Sequence, residues 1–418
     1  MSPGLLQMTG SLRVRNYRLF AGGQVVSLTG TWMQAVAQDW LVLDLSGNSP
    51  AALSFVIALQ FAPFLLLGLY SGVLADRFDK RRVLMVVQAA MMLVALTLGL
   101  LVVTGAVRLW HVYALALMLG VANAFDTPTR QSFVSELVGA ELLPNAVALN
   151  SATFNTARIV GPAVAGLVIA WLGVGPAYLL NALSYVAVLI ALARMDPGAL
   201  MRGQRVLRGP GQVREGLRYV RSRPDLLMVM LMVSVIGTIG MNFPLTLPLL
   251  ARAEFGVGAH AFGLLWSAFA IGALGGALVG TRRRTRPPAT LLLVCAAVFG
   301  LLEMAVAFAP TFWVAAALLV PTGAFLIGHN NAANSRVQLG ADPMLRGRVM
   351  ALYTLVFLGG TTIGSLVVGG VSEVYGVRAA LVLSGSAVVL AAAALAAARA
   401  WLRRRRPAAA LVGSGAGS

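Results

Sequence analysis

Apolar runs long enough to cross a lipid bilayer recur along this chain, separated by short charged or Gly/Pro-containing breaks. A helix needs about 20 apolar residues to span the hydrocarbon core. Such runs fall at 18–43, 51–75, 83–104, 110–128, 144–172, 175–195, 225–251, 261–280, 288–309, 311–333, 348–373 and 378–402. Most breaks carry helix-ending chemistry: Gly47-Asn48-Ser49-Pro50, Asp76 to Arg82, Gly173 to Pro176, and Arg282 to Pro288. The pattern predicts an all-α membrane protein of twelve spans. The N-terminus carries Arg13, Arg15 and Arg18 and runs into a full-length span, which is not the layout of a cleavable signal peptide.

Polar positions in the first run are periodic as well. Gln24, Ser27, Thr31, Gln34 and Gln38 are spaced 3, 4, 3, 4 and so share one helix face. Lipid penalises such a face. It is expected to line a water-filled path or, failing that, to meet polar groups of a neighbouring helix. Asp39 lies one residue, about 100°, off this stripe.

Composition sharpens the picture. Hydrophobic residues make up 59% of the 418 and charged residues 11%, with a mean hydropathy of +0.83. A soluble domain draws about a quarter of its residues from Asp, Glu, Lys and Arg, so this surface is built for lipid. The same numbers exclude intrinsic disorder. The formal net charge is +18, yet nucleic acid is not the expected partner, because the charges sit where topology puts them. With the N-terminus in the cytoplasm, 28 of the 32 basic residues fall in inside segments. Arg108, Arg252 and Arg378 fall outside, and Arg158 lies within a span. That is the positive-inside bias, and it predicts cytoplasmic termini and a basic inner face drawn to anionic lipid. Lys80, the sole lysine, has no Gly-Lys-Ser/Thr context, so no ATP-binding P-loop is expected. His111, His260, His329 and the lone Cys295 form no metal-ligand pattern, and no nucleophile–base pair is visible, so an enzyme is not expected.

A basic segment at 196–224, with an amphipathic stretch from Val213 to Val220, divides the chain into 18–195 and 225–402, each 178 residues long. It is expected to lie flat on the inner leaflet. The expected organisation is an N-terminal six-helix bundle (1–195), a cytoplasmic linker (196–224), a C-terminal six-helix bundle (225–402) and a tail (403–418). The halves resemble each other in detail. An offset of 203 carries Ala148-Leu149 to Ala351-Leu352, Gly161 to Gly364 and Gly166 to Gly369, and Arg130 has a counterpart in Arg336. Parallel repeats of six spans are a transporter architecture.

Three segments carry a family resemblance. Gly72-Val73-Leu74-Ala75-Asp76-Arg77-Phe78-Asp79-Lys80-Arg81-Arg82 resembles motif A of the major facilitator superfamily, with Asp79 in place of the usual second glycine. The resemblance implies that Gly72, Asp76, Arg77 and Arg81 latch the cytoplasmic side when the opposite side is open. The matching point in the second half has Gly280 where Asp76 would fall, so that latch is degenerate. Arg158-Ile159-Val160-Gly161-Pro162-Ala163-Val164-Ala165-Gly166 is similar to the antiporter motif C of the superfamily's exporters. Its small residues at every fourth position would equally serve close helix packing. Gly30-Thr31-Trp32-Met33-Gln34, Gln38-Asp39-Trp40-Leu41, Asn123 to Arg130, and Arg346 to Leu352 resemble the enterobactin-exporter-like branch, the transmembrane secretion effectors or drug:proton antiporter-3 proteins.

Charges inside the membrane are costly unless paired or functional. Arg158, midway along the fifth span, shares a face with Ser151, Asn155 and Pro162. It is expected to line a central cavity and to meet an acid of the first or fourth span, or an anionic group on the cargo. Asp39 and Glu303 are the candidates for proton coupling, since burial favours the protonated form of a carboxylate. Each could instead be a solvated mouth residue. Asp126 is read as a partner of the motif A arginines, with proton carriage as the alternative, and Glu373 as solvated. Gln34, Gln38, Thr31, Trp32, Asn155 and Arg158 are the candidate cavity residues, with Trp266 a second plausible stacker. The resemblance implies a monomeric secondary transporter in a bacterial cytoplasmic membrane. It would export small amphipathic molecules against a proton gradient, with no other cofactor. An importer of the same fold and a non-transporting membrane scaffold are the alternatives.

Overall fold

The computed structural model describes residues 10–201, 212–281, 287–342 and 345–405, without the side chains of 69–77, 212–213, 281 and 402–405. The middle of the linker, Arg282 to Arg286 and most of the tail therefore lie outside the described residues, as do the side chains of Gly72, Asp76 and Arg77. All regular structure in the described residues is helical. In chain order the helices are α1 (Arg15–Ser46), α2 (Pro50–Arg77), α3 (Lys80–Val103), α4 (Leu109–Leu172), α5 (Val174–Ala193), α6 (Gln212–Ser222), α7 (Pro224–Val235) and α8 (Phe243–Leu249). They continue as α9 (Ala259–Thr281), α10 (Ala289–Ala307), α11 (Phe312–Gly340) and α12 (Arg346–Arg405).

Nine helical segments of the described residues are long and apolar enough to cross a membrane. Helix α1, 32 residues long, is not one of them, because Gln24, Gln34 and Gln38 dilute its apolar content. Two predicted boundaries dissolve into single residues. The expected breaks at 129–143 and 374–377 are helical except at Gly139 (φ 69°) and Gly376 (φ 83°). Both lie in the left-handed region that glycine enters without a Cβ clash, so α4 and α12 each turn back on themselves at one glycine. Residues 224–254, in contrast, are interrupted. Met241 and Asn242 leave the helix, and the Asn242 side-chain amide donates to the Thr238 (3.0 Å) and Ile239 (2.8 Å) carbonyls freed there. Pro244, just beyond, has no N–H to return.

Glycines set the helix spacing, and the 203-residue offset reappears in space. A Cβ on Gly161 would stand 2.5 Å from the Trp32 Cβ and 2.9 Å from the Thr29 carbonyl oxygen of α1. At Gly364 it would collide with the Thr238 carbonyl. Gly166 faces the His260 backbone at the start of α9 (2.8 Å), and Gly369 faces Ser54 at the start of α2. The same two glycine positions thus make corresponding contacts in each half: one against the first long helix of its own half, one against the second long helix of the other.

The linker helix α6 is amphipathic as expected, and it also docks onto the second half. Val220 is buried, Gly216 lies against Arg348, Arg348 pairs with Glu215, and the Tyr219 hydroxyl accepts from the Asp342 N–H at 3.0 Å.

Candidate transport cavity

A cavity of about 500 Å³ lies between α1 and the two arms of α4, on the side of the molecule that carries the chain ends. Phe20, Gln24 and Leu28 come from α1, Arg130 and Gln131 from the first arm of α4, and Asn150, Ser151, Phe154 and Asn155 from the second. Val147 and Phe154 are exposed there, so the cavity is open. At the other side the halves are closed against one another. The Arg252 guanidinium meets Asp44 at 2.5 Å and lies 4.8 Å from the Trp40 ring. Trp40 stacks on Phe262 at 6.2 Å. Glu373 of α12 accepts from the Ala51 N–H (2.9 Å) and the Ser49 hydroxyl (3.1 Å), so it caps the start of α2, where a carboxylate is favoured by the helix dipole. Glu373, read as solvated, is exposed and also takes part in this closure, and Asp44 and Arg252 were not singled out as site residues.

Arg158 lies on the second arm of α4, one turn beyond Asn155 of the cavity lining, and does not itself line the cavity. It is only 7% exposed. Its Nη2 donates to the Asn155 Oδ1 at a long 3.3 Å, and its Nε is buried with no partner among the described residues. No carboxylate among the described residues pairs with it, so the expected acid of the first or fourth span is absent. Side chains on a helix lean toward its N-terminus, which aims this one back toward Asn155 and the cavity. Pro162, a turn later, withdraws a donor from the helix ladder. The Ser267 hydroxyl of α9 donates to the Ile159 carbonyl at 3.0 Å.

The aromatic candidates come together. Trp32 lies 5.7 Å from Phe154 and 6.2 Å from Trp266 between ring centroids, and Trp266 continues to Phe269 and Phe243. An aromatic ridge thus runs from Phe154 of the cavity lining across α1 and α9 to α8.

The polar stripe of α1 is buried and mostly engaged by neighbouring helices. The Asn181 amide of α5 donates to the Gln34 Oε1 at 2.6 Å, and the Gln60 amide of α2 donates to the Gln38 Oε1 at 3.1 Å. The Thr31 hydroxyl donates to the Ser27 carbonyl (2.9 Å) and meets the Tyr185 hydroxyl (3.3 Å). Only Gln24 of the stripe lines the cavity, with its buried Oε1 unpartnered. Gln34, Gln38 and Thr31, expected in the cavity, use the shared face for contacts with neighbouring helices.

The acids divide in the same way. Asp126 accepts from Arg130 through Nε (2.8 Å) and Nη2 (2.5 Å) and from the Gln88 amide of α3 (2.8 Å). It does not meet Arg81, which instead donates to the Leu192 (2.6 Å) and Ala193 (3.0 Å) carbonyls at the end of α5. Lys80 pairs with Glu136 at 2.5 Å. Asp39 is buried in α1, in electrostatic reach of the Tyr178 hydroxyl, which has no hydrogen-bond partner. Glu303 is buried inside the second half, its Oε2 unpartnered, on a helix packed against α11 and α12 and remote from the cavity lining. Gly161, Pro162 and Gly166 act as packing surfaces: Gly263 of α9 lies against the Pro162 carbonyl.

The family model for transmembrane secretion effectors matches residues 9–411. The chain belongs to that family, within the major facilitator superfamily. It is thus a multi-pass membrane protein of that family, and transport or efflux is what the following relatives are named for. One relative is the multidrug efflux pump Tap of Mycobacterium tuberculosis, 27% identical, with 87% of this chain and 89% of the pump covered. Another is macrolide efflux protein A of Streptococcus pyogenes, at 25% identity over 90% and 94%. A third is the staphyloferrin A transporter of Staphylococcus aureus, at 29% identity over 42% of this chain. The match spans 44% of the staphyloferrin A transporter and 51% of the Bacillus subtilis transporter YfiS, about half of each. Among solved structures, a bacterial homologue of the lysosomal transporter Spinster, inward-facing and unoccupied, superposes with a TM-score of 0.75 at 16% identity, covering 93% of this chain and 98% of that one. At that identity the likeness speaks for the fold.

Proposed function

We propose that this transporter exports small amphipathic molecules, drug- or siderophore-like, across a bacterial cytoplasmic membrane in exchange for protons, by alternating access. The observation that carries the reading is a cavity open at the side of the chain ends and closed at the other by Asp44–Arg252 and by Glu373 on α2. Counting α4 and α12 as two spans each, at Gly139 and Gly376, and 224–254 as one gives twelve spans. They form bundles at 1–195 and 225–402, joined by the linker 196–224 and followed by the tail 403–418. The inside placement of Arg residues supports cytoplasmic termini, so the open cavity faces the cytoplasm. Alternating access then requires the outer closure to part and a second closure to form where Gly72, Asp76, Arg77 and Arg81 lie.

Efflux is the direction named for Tap and macrolide efflux protein A. For proton coupling, Asp39 is favoured over Glu303, because its helix supplies both cavity and closure residues, whereas Glu303 lies away from both. The transporter works as a monomer and needs neither ATP nor a bound cofactor. The test is proton movement in proteoliposomes holding a pH-sensitive dye, while lipophilic drugs and siderophore-like compounds are offered. The expected result is compound-triggered proton flux that Asp39→Asn abolishes and Glu303→Gln leaves intact. Flux in the sense of import would favour the importer. Absence of any compound-driven flux from folded protein would count against antiport and favour a scaffold.

A further inference from the structure

Beside the cavity lies a buried cation that the described residues do not compensate. Arg130 is held by Asp126, yet its Nη1 is buried with no partner. Arg158, 7% exposed, has one long hydrogen bond to a neutral amide and no ion pair among the described residues. A guanidinium carries five donors in a fork that fits a carboxylate with two parallel hydrogen bonds. An uncompensated cation at membrane depth costs several kcal/mol, and an anion brought by a ligand would relieve it. Apart from Arg130, the polar groups that line the cavity are neutral, among them Gln24, Asn150, Ser151 and Asn155. Phe154 and Trp32, 5.7 Å apart, offer apolar surface beside them.

We propose that the cavity selects amphipathic cargo bearing an anionic group, a carboxylate in particular. Arg158 grips that group, and the apolar body rests on Phe154 and Trp32. The proposal builds on reading the cavity as the cargo site, and it makes lipophilic cations poor cargo. Arg130 is a second donor through Nη1.

The test uses three probes with one aromatic body: 1-pyrenebutyrate, its methyl ester and 1-pyrenebutylamine. Binding to the full chain in phosphatidylcholine nanodiscs is read by energy transfer from tryptophan, with empty nanodiscs as the blank. The carboxylate is expected to bind about tenfold or more tighter than either the ester or the amine. Arg158→Gln should bring the three within about threefold while ester binding persists. Arg158→Lys, which keeps the charge but not the fork, should fall between, and it decides the matter should Arg158→Gln fail to fold. Equal or tighter binding of the amine by the unaltered chain, a carboxylate preference that survives Arg158→Gln, or binding of none of the three would each overturn the proposal. The readout is at equilibrium and needs no gradient. A chain that prefers the carboxylate but moves no cargo would overturn the transport reading alone, and transport of cations without carboxylate preference would overturn this one alone.

Discussion

Two arginines, Arg130 in the cavity lining and Arg158 one turn beyond Asn155 of that lining, stand on the two arms of α4 under opposite conditions. Arg130 is clamped by Asp126 through two hydrogen bonds, and Asp126 is held in turn by Gln88 of α3. Arg158 has Asn155 at 3.3 Å and an empty Nε. The first arrangement ties α3 to α4 and uses the charge up. The second leaves the charge available. Buried charges are usually paired, so the unpaired one is where function is to be sought, and the paired one shows what a structural arginine looks like on the same helix.

The sharpest way to break this comparison is at Asp126. Asp126→Asn strips Arg130 of its counter-ion, and unpairing a buried charge costs about 3 kcal/mol or more. Chemical denaturation of the detergent-solubilised protein should show that loss. A cost under about 1 kcal/mol would mean that water already screens the pair. Gln88→Leu removes one donor to the same carboxylate and should cost about 1.5 kcal/mol by the same measurement. Arg158→Met should move the other way. Replacing a buried unpaired charge with a side chain of similar length is expected to stabilise by about 1 kcal/mol. A loss of stability equal to that at Asp126 would place Arg158 among the structural residues. The smallest effect sharpens rather than breaks the contrast. Asn155→Asp supplies the missing partner at i−3, should add about 0.5 kcal/mol, and should abolish the preference for the pyrene carboxylate in the binding assay.

The apolar runs located most helices to within a few residues, because length and hydropathy are local properties, but the first arm of α4 runs on to Gly139 and α11 to Gly340, well past the expected ends at 128 and 333. The corners at Gly139 and Gly376 were less legible, since a single left-handed glycine leaves almost no trace in an apolar pattern. Arg158 stood out at once as a charge in mid-run. Its lack of an acid did not, because pairing is a property of the fold. The stripe from Gln24 to Gln38 shows the same limit. Its period fixes a shared face, but whether water or Asn181 and Gln60 stand opposite depends on residues far away in the chain. Asp126 was read as a partner of the motif A arginines from its place near the end of its span, while Arg130, four residues on, was within direct reach. The outer closure was missed for the plainest reason. Asp44 and Arg252 look like ordinary loop charges until the fold joins them across 208 residues.

The most direct test of the account is compound-driven proton flux in proteoliposomes for the unaltered chain and for Arg158→Gln, once a transported compound is in hand. The account predicts that Arg158→Gln abolishes the flux although the protein unfolds at the same denaturant concentration or a higher one. Flux at the unaltered rate in Arg158→Gln would show that cargo does not depend on this arginine, and would contradict the central claim.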